Sequence, residues 1–170
     1  MSHATTGRTA AGWALACVLA LAAAAPPANA QSQMENLDGS VALVGVRGLS
    51  VPPVAKTETG SLVDGGTIDT EGFSTVVLNF AGRVSGDAGL RSGPIGAILV
   101  PDIDPFDRAY KTHGLLPSSI EISAVAEGSL ATFMAKQVTV AVGFPRYRVL
   151  FYNSTNFAAT VNFFAYRHRN

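Results

Sequence analysis

Two residue types that anchor many small proteins are nearly missing from this chain. Its 170 residues include one cysteine, Cys17, and one tryptophan, Trp13. A lone thiol excludes an internal disulfide, so a core must hold the fold by itself. Charge is scarce as well: Asp, Glu, Lys and Arg make up 14%, twelve basic residues against twelve acidic. That balance excludes the basic stripe of a nucleic-acid binder. Apolar residues are scattered in short runs, not in stripes at helical spacing, which argues against long helices and for strands.

What is present begins with an address. A polar start with one cation, Arg8, leads into the apolar stretch 11–25, a break at Pro26-Pro27, and Ala28-Asn29-Ala30 before Gln31. This is the order of a cleavable secretory signal over residues 1–30. A retained anchor needs about 20 apolar residues, and the run here is shorter and rich in alanine. Lipid attachment at Cys17 is disfavoured by Ala14-Leu15-Ala16 before it. Cleavage removes Cys17, Trp13 and Arg8, leaving eleven basic residues against twelve acidic, a formal charge of −1. The expected compartment is periplasmic or extracellular, with membrane contact only during export. The roughly 140 remaining residues suit one core.

The mature part reads as all-β. Within 75–80, Val76, Leu78 and Phe80 share one face and Thr75, Val77 and Asn79 the other, the two-residue period of a strand on a core. Residues 137–142 repeat this with Val138, Val140 and Val142. Further strands are expected at 41–46, 67–70, 95–100, 120–125, 147–152 and 160–166, punctuated by Gly65-Gly66, Gly82, Gly86, Gly93-Pro94, Pro101 and Gly128. Asn153-Ser154-Thr155-Asn156 reads as a hairpin loop joining the last two. It also fits an N-glycosylation sequon, here taken as a turn. Residues 129–136 and 105–111 tempt a short helix, but no long one is expected. Residues 31–40 read as a flexible leader and 51–61 as an irregular connection or edge. The expected domain, 41–170, is a single antiparallel β-sandwich, jelly-roll-like.

Ile68-Asp69-Thr70-Glu71-Gly72-Phe73-Ser74-Thr75-Val76-Val77, then Gly82 and Ser85-Gly86, resembles the opening hairpin of small β-sandwich modules in phage virion proteins and bacterial surface proteins. The stretch 144–166, with Tyr147-Arg148-Val149 and Asn153, is similar to their last hairpin. Together these cover about a third of the chain. The resemblance implies a module that binds, packs or decorates, without catalytic residues. Residues 101–116 have no counterpart in it.

That middle segment carries the metal candidates. Asp102, Asp104 and Asp107 place three carboxylates in a short loop, the hard oxygen ligands calcium takes. The loop lacks the central glycine and distal glutamate of an EF-hand and carries a proline. The competing reading has Asp102 and Asp104 solvating the loop while Asp107 caps a turn or pairs with Arg108 or Lys111. Calcium is thus the one cofactor the sequence suggests.

Catalysis finds no support. No serine sits in a Gly-x-Ser-x-Gly elbow, and two distant histidines without cysteine make no zinc set. His113 lies in an expected loop, and His168 in Arg167-His168-Arg169, read as a solvated tail. Sugar binding without tryptophan would fall to Tyr110, Tyr147, Tyr152 and Tyr166, most of which the strand pattern assigns to packing. In the last hairpin Leu150 and Tyr152 share one face, Val149 and Phe151 the other, and Phe163 and Phe164 also point opposite ways. An apolar face left exposed would mark a partner surface; otherwise 51–61 or the leader covers it. The sequence therefore points to an exported, non-catalytic structural or binding module, self-associating or docking on an envelope or surface protein. The alternative is a calcium-supported carbohydrate- or ligand-binding domain, and a hydrolase ranks below both.

Overall fold

The computed structural model describes residues 41–86, 88–103, 119–126 and 131–169. The signal segment, the leader, Asp104, Asp107, Tyr110 and His113 lie outside the described residues. Among the described residues nine strands form: β1 (Val41–Val51), β2 (Val63–Asp69), β3 (Thr75–Val84), β4 (Gly93–Pro101), β5 (Ile120–Ala126), β6 (Thr132–Met134), β7 (Val138–Ala141), β8 (Arg146–Asn153) and β9 (Ala159–His168). Among the described residues the only helical piece is a 3-10 turn, Thr59–Ser61.

The strands build two antiparallel sheets. Sheet 1 runs β1-β9-β3-β6, with β7 also paired to β3; sheet 2 runs β2-β8-β4-β5. The pairs are nested: β1 with β9, β2 with β8, β3 with β6 and β7, and β4 with β5. A chain wound in this way is a jelly roll. Both expected hairpins are corrected by this winding. β2 and β3 lie in different sheets, as do β8 and β9, so the turns at 70–74 and 154–158 carry the chain across the sandwich. Turn residues specify a reversal, not the sheet that receives the next strand.

The two-residue period fixes what lies between the sheets. Val76, Leu78 and Phe80 from β3 and Val161, Phe163 and Ala165 from β9 meet Val149 and Phe151 from β8 and Ile95, Ala97 and Leu99 from β4, all at most 2% exposed. Phe80 ties them together, its ring centroid 5.5 Å from Phe133 and 6.3 Å from Phe151, and Phe151 meets Phe163 edge-on at 5.9 Å. Burying each such side chain contributes about 1.5–3 kcal/mol. With no disulfide possible, this aromatic layer holds the sandwich closed.

Asn153, read above as the first residue of a hairpin loop, instead ends β8 and is fully buried. Its amide donates to the carbonyls of Val51 (3.0 Å) and Phe157 (2.7 Å), and its oxygen accepts from the Thr155 amide (3.1 Å) and hydroxyl (2.7 Å). Its backbone bridges Val54. One residue thus ties β1, the 51–61 connection and the β8–β9 crossing into a single corner. A buried, fully bonded amide is closed to glycosylation in the folded protein.

Arg167 requires a second correction. It belongs to β9, points inward and is 6% exposed, not part of a solvated tail. Its guanidinium donates to the Asp69 carbonyl and lies 4.7 Å from the centre of the Phe73 ring, which Arg169 also approaches at 4.9 Å. Burial, above all, lowers its pKa; Asp69 acts the other way and Arg169 adds to the lowering. The side chain plugs the end of the sandwich where β2 crosses to β3.

Candidate functional site

The outward positions of sheet 1 follow from the inward ones by alternation. On β9 they are Thr160, Asn162, Phe164, Tyr166 and His168. On β3, Tyr166 faces Val77, Phe164 faces Asn79 and Asn162 faces Ala81; on β7, Thr139 faces Val77. Tyr166 is 39% exposed. Phe164 stands opposite Gly45 of β1, where an added Cβ would lie 2.5 Å from the ring. Only glycine lets the ring settle onto the strand there.

Beyond Gly45 the register of β1 shifts between Val46 and Leu49. Gly48 takes φ +66°, open to glycine at no steric cost, and its amide donates to Asn162 Oδ1 at 3.0 Å. Such a bulge re-aims the side chain beside it. Here it brings Arg47, solvent-exposed, to 5.1 Å from the centre of the Phe164 ring. The face thus carries two aromatic rings in line on β9, a guanidinium stacked on one of them, and amides and hydroxyls around both.

Sheet 2 is covered at the centre of its outer side, with Val125 open at its β5 edge. Ile98, Val100, Leu150 and Tyr152 point away from the core yet are at most 7% exposed. Tyr152 crosses Gly96 and donates to Glu121 Oε1 at 2.6 Å, and Lys56 pairs with Glu121 and lies 5.9 Å from the Tyr152 ring centre. Burial and the Glu121 carboxylate push the Tyr152 hydroxyl above its ordinary pKa. For Glu121, burial alone would raise the pKa, but the Lys56 and Tyr152 bonds outweigh it and the net shift is down. The second apolar face of β8 is thus buried, with the 51–61 connection contributing Lys56 to its cover.

At one end of the sandwich a cleft of about 450 Å³ is lined by Thr67, Asp69, Glu71, Asp102, Ile103, Pro145 and Arg146. Asp102, the described member of the calcium candidates, is not a solvated loop residue. Its oxygens pair with Arg146 Nε at 2.6 Å and Arg148 at 3.2 Å. Two guanidiniums already occupy the carboxylate a cation would need, and among the described residues no three Asp, Glu, His or Cys side chains converge to hold a metal. Asp104 and Asp107, the other two candidates, lie outside the described residues.

His168 is half-buried on the outer face of sheet 1. Ser74 Oγ reaches its carbonyl oxygen at 3.5 Å, not its ring, so no nucleophile–base pair forms there. Of the tyrosines, Tyr147 and Tyr152 are buried and Tyr166 is open. Sequence reading reached Tyr166, and Phe164 as part of an apolar face, but missed Gly45 and Arg47. Their conjunction depends on β1 pairing with β9. No protein-family model matches the chain, and no curated protein matches it.

Proposed function

We propose that this chain is an exported, non-catalytic binding module that docks onto an envelope or surface partner through the outer face of sheet 1. One observation carries the reading: the centre of the outer face of sheet 2 is covered and only its β5 edge leaves a large apolar side chain, Val125, open, while the outer face of sheet 1 keeps Tyr166 open on its central strand with Arg47 exposed beside it. The signal-like opening of the sequence supports the compartment. The jelly roll is shared by shell-forming and sugar-binding domains, so the fold is compatible with the role but does not select it.

The test is co-sedimentation of the full-length chain with cell-envelope fractions, alongside its mass in solution by light scattering. Retention that falls in Tyr166→Asp but not in Val125→Asp, an exposed position on sheet 2, supports the reading. Retention unchanged by both would move the working surface elsewhere. A stable dimer abolished by Tyr166→Asp would make a second copy the partner.

A further inference from the structure

The charge on the same face identifies a class of partner, an inference that rests on the reading of that face as the working surface. The five strands of sheet 1 contain no Asp and no Glu, yet carry Arg47, Arg83, Arg167 and His168. The acidic side chains of the described residues, Glu58, Asp64, Asp69, Glu71, Asp102 and Glu121, lie in sheet 2 or in the connections that enter and leave it. In a chain whose formal charges cancel, one sheet has been cleared of carboxylates. Arg47 and Arg83 both face solvent, and the ion pairs among the described residues, Lys56–Glu121 and Asp102 with Arg146 and Arg148, involve neither. Two cations that share their surface with no acid among the described residues create a field that attracts an anion.

We infer that the outer face of sheet 1 binds an acidic polysaccharide, its sugar rings stacking along Tyr166 and Phe164 and its carboxylates meeting Arg47 and Arg83. The rings are two residues apart on one strand, about 7 Å, in line with the guanidinium of Arg47. A sugar ring offers a C–H face to an aromatic ring and hydroxyls to amides and alcohols. Asn79, Asn162, Thr75, Thr139 and Thr160 supply those groups on this face. A uronate adds the planar carboxylate that a guanidinium grips with two parallel bonds.

The partner favoured is a polymer, because small molecules take concave sites and the cleft lined by Thr67, Asp69 and Arg146 lies at the end of sheet 2. The arrangement also differs from a protein interface, whose apolar centre is ringed by polar groups. Here Asn79 and Asn162 stand beside Phe164 in the middle of the sheet, and the exposed Met134 is at the β6 edge.

Titration calorimetry of the full-length chain with polygalacturonate, dextran and poly-glutamate tests the inference. The expected result is binding to polygalacturonate alone, abolished near 1 M salt, where the Debye length is about 3 Å. Arg47→Gln weakens it about fivefold and Tyr166→Ala about tenfold, while Arg146→Gln on sheet 2 leaves it unchanged; circular dichroism melting confirms that each variant is folded. Equal or tighter binding of poly-glutamate overturns the inference in favour of an acidic protein, and equal binding of dextran removes charge from the recognition. If no polymer binds while envelope co-sedimentation still depends on Tyr166, the ligand class falls and the docking face stands. If Tyr166 matters to neither, both fall.

Discussion

Phe164 of β9 packs against the bare backbone of Gly45 of β1, where a Cβ would come within 2.5 Å of its Cδ1 and 2.7 Å of the Phe163 carbonyl oxygen. The carbonyl cannot give way without breaking the register of β1 on β9. Gly45→Ala is therefore expected to cost about 1–3 kcal/mol in denaturant unfolding. It also lifts Phe164 away from Arg47, so polyuronate binding weakens by more than the loss of stability explains. An alanine variant as stable as the parent would contradict this account of the pair.

Phe151 bridges the sheets through Phe80 and Phe163. Phe151→Ala should lose about 3–5 kcal/mol, readable as a drop in the urea midpoint. A loss below 1 kcal/mol would mean the aromatic layer does not hold the sandwich.

Asp102 owes its place to Arg146 and Arg148. Asp102→Asn is expected to lower stability by about 1 kcal/mol, since both partners are partly exposed, and by the same amount in calcium and in chelator. A parent melting point that rises with calcium, and fails to rise in Asp102→Asn, would restore the metal reading.

Glu121 sets a pH dependence whose sign follows from its net downward shift from 4.5. A carboxyl with a depressed folded pKa adds stability above its unfolded value, and that stability is lost as pH falls through the folded one. The melting point should therefore fall on acidification below about pH 4.5, and fall less in Glu121→Gln. Identical acid profiles would show that the Lys56 and Tyr152 contacts contribute nothing to stability.

Asn153→Ala removes the side-chain donor to the Val51 carbonyl and the acceptor of the Thr155 amide, while the Phe157 carbonyl keeps the Thr155 hydroxyl. Each buried group left unpaired costs about 1–3 kcal/mol, so the variant should melt far below the parent. Asn153→Asp keeps the acceptor and loses the donors, and should be no more stable than the alanine variant.

Alternation at 75–80 and 137–142, with apolar runs and Gly/Pro punctuation elsewhere, made eight of the nine described strands visible, and the inward set Val76, Leu78 and Phe80 was legible residue by residue. β6 was not, because three residues between Ala131 and Lys136 are too few for a period and several of their neighbours favour helix. Pairing was the larger loss. The loop around Asn153 looks like a hairpin because its polar residues favour turns, but the Asn153 side chain draws Val51 from the far end of the domain into that corner. Arg167 was misread for a different reason. It continues the inward series Val161, Phe163, Ala165, and the polar His168 and Arg169 that follow disguised it. Within the candidate site, Tyr166 could be found by type, but the cradle of Gly45, Gly48 and Arg47 appears only once β1 lies beside β9.

The nested pairing has a kinetic consequence. β9 occupies the middle of sheet 1, between β1 and β3, and joins Val41 to His168 in register. Until β9 arrives, β1 has no neighbour in its sheet and Phe151 lacks Phe163. A chain that emerges N-terminus first must therefore wait, unsealed, for its last strand. Such long-range closure places folding in the slow range of milliseconds to seconds, and the waiting chain exposes unpaired strand edges. A holding factor, or rapid delivery of the complete chain, would shorten that exposure.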